Sequence, residues 1–590
     1  IQANSSDSTP ATKIVIPAPT GVGKTLSMCY FMEKLEECTG VLIVTSFIDE
    51  AKKIAERINR GSETSKAIDF HSESEYWTKV DEIKNYQVLV ITHNLFIGAN
   101  DRKHNNIGAD RGKLDKLYEY KNGKRKLIVI DENIKTIQSV NLVDSDIHSL
   151  RVLLSGYKSH RSSDKSLHQN IQTELDALDR MMDFFDIVNG TLGGKSETLV
   201  DKYMLSNYME GCDMSFNTIQ DLSSNGKLIK FNSKVLTPDV KKRVTETLAS
   251  IKTIMNANWL YYTQADNALR TARDATPKEV TTVILDATST VDYSYRIHPN
   301  IDFSIANIIP RKHVRNYQSV NLFLSKEQKT GRTQLIRQGN VNQYIEKIWE
   351  EVCSYFNDEE VAIFTFKEIE EGLVKHIKKE GVSNIKLGHF GGLTGKNDYQ
   401  DCTKIFVIGT PFKPEFVTTN AHALSTRGSV ECFSDDKQAR EERLMLKYTE
   451  IAAELIQALN RSASRSTIDE YGNCPNVNVY MLTPESQNLD AVIVNSIKDN
   501  MPGVNIDKWD FTLTNTNKRG PKGGHDDAFI DKMKVLNEDI PFSFISKDLE
   551  MTKKQAANFR ARLMKAKDYD PVSTSLLQNN ITVETKGNKY

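Results

Sequence analysis

Short apolar runs alternate with amphipathic stretches from residue 13 to residue 131. The apolar runs predict strands at Lys13–Ile16, Val41–Thr45, Gln87–Thr92 and Lys126–Asp131. A helix is expected over Leu26–Leu35. In residues 48–59, Ala51, Ile54, Ala55 and Ile58 fall on one helical face. Strands apolar on both faces and joined by helices predict an α/β domain with a largely parallel sheet. The polar, Lys/Arg-rich stretch 99–125 reads as an excursion before the next strand.

The rhythm breaks over 140–278. Leu175–Val188 and Pro238–Arg273 look helical, with few β-prone runs between them, so a mostly helical insertion is expected. Thr281–Asp286 then reads as a returning strand. A second α/β pattern follows, with strands at Ser319–Leu324, Val361–Thr365, Ile405–Gly409 and Val477–Leu482. Its helices are expected at Val341–Tyr355, Lys367–Lys379 and Lys447–Leu459. These patterns suggest a first domain over 1–139 and 279–318, the insertion over 140–278 and a second domain over 319–514. A polar, Gly-rich linker over 515–526 leads to a C-terminal module over 527–590.

Composition narrows the class. A chain of 590 residues is too long for one core. Hydrophobic content of 39%, charged content of 26% and a net charge of −1 suit a soluble globular protein, so any nucleic-acid surface must be local. No apolar run approaches membrane-spanning length, and no signal-peptide pattern opens the chain, so a cytoplasmic, nucleoid or nuclear protein is expected. The first residue is Ile1 rather than Met, which reads as a trimmed or cleaved fragment. The seven cysteines include no Cys-x-x-Cys pair, which points to reduced thiols rather than a zinc site or disulfide framework.

The most informative run is Ala18-Pro19-Thr20-Gly21-Val22-Gly23-Lys24-Thr25. It lies between a predicted strand and a predicted helix, which is the setting of a phosphate-binding loop. Glycines let successive N–H groups face phosphate oxygens, and the helix adds its positive end. Lys24 is then expected to bridge the β- and γ-phosphates of ATP, and Thr25 to hold Mg²⁺. Ala18 stands where the usual pattern has its first glycine. About a hundred residues later, Leu127-Ile-Val-Ile-Asp-Glu-Asn133 is an apolar strand ending in adjacent carboxylates, at the edge where ligands sit in open α/β sheets. Asp131 is expected to bind Mg²⁺ and Glu132 to activate the attacking water.

Together, Ala18–Thr25 and Asp131-Glu-Asn-Ile134 resemble motifs I and II of superfamily 2 DEAD/DEAH-type helicases. Further motifs resemble that family in order. Val44-Thr45-Ser46 is similar to motif Ia, and Ile91-Thr92-His93 to the next strand-contact motif. Asp286-Ala287-Thr288 is similar to motif III, Phe364-Thr365 to motif IV, and Gly395-Lys396-Asn397-Asp398 to motif V. Gln457-Ala-Leu-Asn-Arg461 is similar to motif VI. The resemblance covers roughly residues 1–500 and implies two tandem RecA-like domains that close on ATP·Mg²⁺. It implies catalytic roles for Gln457 and Arg461. The family's second arginine position holds Ser464, with Arg465 one residue late. It also implies strand contacts at Thr45, Thr92 and His93. Gln2 is a candidate adenine-reading residue, with a flexible terminus as the other reading.

The long insertion and the run His389-Phe390-Gly391 resemble XPD/DinG-like helicases. Those often carry an iron–sulfur cluster held by four cysteines in this insertion. Residues 132–285 contain only Cys212, so no such cluster is expected here. A helical arch or clamp over the strand is expected instead.

Residues 543–567 look like a helix-turn-helix, with Thr552 as N-cap and Ala556, Phe559 and Leu563 on the buried face. Residues 551–567 carry Lys553, Lys554, Arg560, Arg562, Lys565 and Lys567 and no acid, which suits phosphate contacts on DNA. A helical protein-docking module with a solvated basic face is the other reading. The whole pattern predicts an ATP-dependent helicase or translocase, with DNA favoured. A nucleotide-dependent switch or a DNA-binding scaffold is the alternative.

Overall fold

The computed structural model describes residues 13–62, 64–98, 115–132, 137–160, 165–191, 197–225, 238–274, 280–298, 301–302, 314–327, 330–336, 341–355, 359–393, 398–426 and 437–513, with a few isolated positions besides. The chain divides into two compact units, Ile1–Phe511 and Thr512–Tyr590. The expected linker and helix-turn-helix, with Lys553, Lys554, Arg560 and Arg562, lie outside the described residues. So do Gln2, Asn133-Ile134 and Gly395-Lys396-Asn397.

The first part of the larger unit is a parallel sheet. Its first strands are β1 (Lys13–Ile16), β2 (Val41–Thr45), β3 (Ala67–Phe70) and β4 (Val88–Thr92). A small hairpin, β5 (Glu119–Tyr120) and β6 (Gly123–Lys124), precedes β7 (Leu127–Asp131). The chain then leaves through β8 (Ile137–Val143), β9 (Glu197–Val200), β10 (Leu260–Thr263) and β11 (Ala268–Asp274). It returns through β12 (Thr281–Leu285) and β13 (Ile301–Asp302). The order is β13-β1-β12-β7-β2-β4-β3, with every neighbouring pair parallel. All five residues of β2 are buried, because helices cover both faces of the sheet. Since β12 sits between β1 and β7, the ends of these three strands meet at one edge. That places Lys24, Asp131 and Asp286 side by side, although up to 262 positions (286 − 24) separate them in sequence.

Arg125 fixes this sheet from within. Its buried guanidinium donates to the carbonyls of Leu117, Val41, Gln87, Ile83 and Tyr86. Burial lowers its pKa to about 9. It stitches β2 and β4 to the segments around residues 83 and 117.

The excursion from β8 to β11 is rich in helix, with long helices at Asp144–His160, Lys165–Thr191 and Pro238–Met255. It also holds an antiparallel sheet in the order β8-β11-β10-β9. The expected helix Pro238–Arg273 is therefore corrected: it ends at Met255, and β10 and β11 follow. The run Trp259-Leu-Tyr-Tyr-Thr263 carries aromatic and β-branched side chains that suit a pleated surface. Asn267 turns the hairpin with φ +48°, which asparagine tolerates. Period-two alternation then sorts the faces. Leu260 and Tyr262 enter the insertion's core, while Trp259, Tyr261 and Ala272 pack against Ala423 of the second α/β part. Arg270 lies over the Phe416 ring, 4.8 Å from its centre.

The second parallel sheet contains β14 (Val320–Glu327), β15 (Val361–Thr365), β16 (Ile385–His389), β17 (Lys404–Val407), β18 (Val477–Pro484) and β19 (Asn505–Lys508). Its order is β16-β15-β17-β18-β14-β19, again all parallel. The expected motif IV pair, Phe364-Thr365, is buried at the end of β15, with the Thr365 hydroxyl on the Ile408 carbonyl at 2.9 Å. The helix Lys437–Leu459 begins ten residues earlier than its pattern suggested. Its last turns, with Ile451, Ala452, Leu455 and Ile456 in the core, deliver residues 457–465 to the first sheet. No helix among the described residues is long and apolar enough to cross a membrane.

Candidate active site

The loop after β1 has φ +79° at Gly21 and +84° at Gly23, left-handed values that favour glycine. Ala18 is absent from the positive-φ positions, so a Cβ there costs no backbone strain, and the missing first glycine is tolerated. Gly23 starts the helix Lys24–Lys34, and Ser27 N–H already bonds to the Gly23 carbonyl. Lys24 Nζ curls back over the loop and donates to the Ala18 and Pro19 carbonyls at 3.0 and 3.1 Å. Burial lowers its pKa, although Asp286, Asp131 and Glu132 pull the other way.

At the neighbouring strand end, Thr25 Oγ1 donates to Asp131 Oδ2 at 2.7 Å. Asp131 Oδ1 is buried and has no hydrogen-bond partner. Burial raises the Asp131 pKa, and the Thr25 bond only partly offsets this. A buried carboxylate oxygen without a donor, beside a hydroxyl, suits a hard cation. No group of three or more His, Cys, Asp or Glu among the described residues is arranged to hold a metal alone. Thr25 and Asp131 therefore fit Mg²⁺ as a partial set that phosphate oxygens and water complete.

Glu132 leaves β7 in a left-handed conformation, φ +68°, with its N–H on the Leu285 carbonyl at 3.1 Å. That turn aims the carboxylate across the cleft. Both of its oxygens lie 2.7 Å from Arg461 Nη2. Burial pushes the Glu132 pKa up, but the charge and hydrogen bond of Arg461, with Arg465 and Lys24 behind, outweigh it and hold the group below its ordinary value.

The Arg461 turn is built by short-range bonds. Ser462 and Ser464 hydroxyls both donate to the Leu459 carbonyl, at 2.7 and 3.1 Å. Ser464 is thus turned into the second α/β core. Arg465, at the end of the 3₁₀ turn Ala463–Arg465, faces the loop instead: a Cβ on Gly21 would lie 3.2 Å from Arg465 Cγ. Burial and Arg461 lower the Arg465 pKa, while Glu132, Glu50 and Asp131 oppose them. Gln457 donates to Thr288 Oγ1 at 3.0 Å. Thr288 is held by Asp286 Oδ1, which accepts from its N–H and its hydroxyl, both at 2.8 Å. Tyr295 donates to Asp286 Oδ2 at 2.9 Å.

Two expected nucleic-acid contacts are placed differently. Thr45 is fully buried at the end of β2, and its hydroxyl donates to Glu50 at 2.6 Å. It is not a surface grip, because β2 is central in its sheet. His93 turns inward, with Nε2 at 3.2 Å from the Asp131 carbonyl oxygen, and burial lowers its pKa to about 4. Thr92 caps the next turn, its hydroxyl accepting from Leu95 N–H at 3.3 Å.

Two groups at the site had no sequence signal strong enough to find them. Glu50 sits in the first turn of the helix Ile48–Arg60, where acids are common on any helix. Arg315 stands before β14 and reaches the Thr20 carbonyl at 2.9 Å. No motif surrounds either residue.

Residues 3–142 match the family model described as type III restriction enzyme, res subunit. The match falls on the sheet that carries the phosphate loop and the Asp131–Glu132 pair. No curated protein sequence matches the chain. Among solved structures, Xpd4 of S. tokodaii is 13% identical, with 84% of this chain and 96% of that one covered and a TM-score of 0.43. A point variant of S. cerevisiae Dbp5, bound to RNA and ADP BeF3, is 10% identical, with 85% and 86% covered and a TM-score of 0.34. The DUF1998 helicase MrfA bound to DNA is 10% identical, with 83% and 46% covered and a TM-score of 0.31.

Proposed function

We propose that this protein hydrolyses ATP in the cleft between its two parallel sheets and uses the cycle to move along nucleic acid, with DNA favoured. The observation that carries the reading is the bond of Arg461 to both oxygens of Glu132. It brings a cation from the second sheet onto a carboxylate of the first, 329 residues away.

The phosphates are received by the N–H groups of Pro19 to Thr25 that are available, Pro19 itself having none. Lys24 exchanges the Ala18 and Pro19 carbonyls for phosphate oxygens. Thr25 and Asp131 would hold Mg²⁺, which would neutralise phosphate charge when bound. Glu132 orients the attacking water and accepts its proton. Before that, Arg461 must leave Glu132 for the γ-phosphate, and Arg465 approaches from beside Gly21. Gln457 ties this turn to Thr288 and so to the end of β12.

The tilt toward DNA, in replication or repair, rests on the basic run at Lys553, Lys554, Arg560 and Arg562. Thr92 and the motif V segment remain the strand contacts of this reading. The test is ATPase rate with single-stranded DNA, single-stranded RNA of equal length, or neither. DNA is expected to raise the rate about tenfold or more, on the scale of electrostatic completion of a site. A rate that neither polymer changes would sink the translocase reading.

A further inference from the structure

Arg315 is almost fully buried at 2% exposure, in the segment that enters the second sheet. Its backbone is locked to that side. Asn316 N–H bonds to the Gly472 carbonyl at 2.9 Å, and Cys474 N–H to the Asn316 carbonyl at 3.0 Å. Gly472 has φ +78°, and a Cβ there would lie 2.4 Å from the Val314 carbonyl oxygen. A side chain at 472 is therefore excluded, and the segment cannot shift away without breaking this fit.

The guanidinium then reaches across the cleft. Nη2 donates to the Thr20 carbonyl of the phosphate loop at 2.9 Å and to the Arg465 carbonyl. Nη1 donates to the Ser466 carbonyl at 2.9 Å, with Cys474 Sγ at 3.8 Å. All four acceptors are neutral. A Cβ on Gly21 would come within 2.0 Å of Arg315 Nη2 and 2.4 Å of the Arg465 carbonyl oxygen. Loop, guanidinium and turn are thus in direct three-way contact. A planar fork with several fixed donors suits such a junction, and a single ammonium does not.

We propose that Arg315 is a positioning residue that ties the turn bearing Arg465 to the phosphate loop, so that the second arginine meets the γ-phosphate in register with the loop. Its guanidinium bonds to backbone carbonyls. Lys24 and Arg315 grip successive carbonyls, Ala18 and Pro19 for the first and Thr20 for the second. ATP takes Lys24 away, and the Thr20 carbonyl stays as the mark against which Arg465 is set. This rests on the ATP-hydrolysis reading above.

The test uses the full chain with Arg315→Met, Arg315→Lys, Arg465→Ala and Arg315→Met/Arg465→Ala. The readouts are kcat and KM for ATP, Kd for ADP and for a non-hydrolysable ATP analogue, and thermal melting of each variant. Arg315→Met is expected to lower kcat about 100-fold, the cost of a misplacement of about 1 Å in a positioned group. Its ADP Kd should stay within about twofold, while its preference for the analogue over ADP falls to that of Arg465→Ala. The double variant should be no worse than Arg465→Ala, the signature of two residues acting as one unit. Arg315→Lys keeps the charge without the fork and should lose the same γ-phosphate preference even where it melts like wild type. Multiplying effects in the double variant, equal weakening of ADP and analogue, or an unchanged kcat would each overturn the proposal. A wild-type protein that binds nucleotide but hydrolyses none would instead overturn the reading it rests on, and the two Kd values would still judge Arg315.

Discussion

Replacing Glu132 by Gln should separate ATP binding from turnover, and the structure sets the size of both effects. The amide keeps the shape of the carboxylate and one acceptor for Arg461, but it loses the charge and cannot take a proton from water. Loss of a positioned general base costs about 10²- to 10⁴-fold in rate. The binding effect has the opposite sign. Arg461 is 5% exposed and Glu132 23% exposed, so their pair is shielded more than a surface ion pair but less than a fully buried one. Losing the acceptor's charge, with Arg461 still cationic, then weakens the clasp by about 1–2 kcal/mol. ATP has to break this clasp to recruit Arg461. Glu132→Gln should therefore bind ATP about 5- to 30-fold more tightly, since 1.4 kcal/mol is a factor of ten. Steady-state ATPase measures the first effect, and titration with a fluorescent ATP analogue the second. Turnover within tenfold of wild type would refute the role of Glu132. Weaker analogue binding with turnover lost would refute the claim that the clasp competes with ATP.

Gly21→Ala should weaken ATP binding and lower the melting temperature, because φ +79° strains an alanine by about 1–2 kcal/mol. The new methyl also collides with Arg315 and the Arg465 carbonyl. Isothermal titration and melting curves check this, and a fully wild-type alanine variant would refute the close approach. Two buried groups give opposite pH dependences. Burial, with Glu132 and Asp131 nearby, raises Glu50 to about 7 despite the Thr45 bond, so its native form binds the extra proton between about pH 4.5 and 7. That contribution is present at low pH and is lost as pH rises through 7. His93, lowered to about 4 by burial, destabilises the fold as pH falls below about 6.5. The two partly cancel, so Glu50→Gln should make melting temperature fall more steeply than wild type between pH 7 and 5. Parallel curves for the two proteins would refute the Glu50 assignment.

Local chemistry was legible along the chain wherever a periodic run ended in a residue of unusual conformational or chemical need. Gly21-Val-Gly-Lys-Thr25 and the apolar strand ending at Asp131-Glu132 are of this kind. Their strands and helices need only neighbours to form, and their order told of two parallel α/β sheets. The antiparallel hairpin at Leu260–Asp274 was less legible, because its aromatic run follows a long helix and its pattern blends into it. Strand β3 lies at a sheet edge, and Asp69 interrupts its apolar run, so it does not signal itself.

What the sequence determined by itself was therefore the inventory: a phosphate loop, a paired-carboxylate strand end, and a Gln-Arg turn far downstream. Tertiary structure alone decided which of these meet. Sheet order places β12 between β1 and β7, so Asp286 joins Lys24 and Asp131. Burial takes Thr45 away from any surface role and brings Glu50 to the site. The serine bonds at Leu459 turn Ser464 inward and leave Arg465 facing Gly21. Arg315 matters only because three carbonyls from two distant segments converge on it. Backbone carbonyls are present at every residue, so their convergence leaves no mark in side-chain pattern. It appears only when the chain has folded and a buried cation needs acceptors.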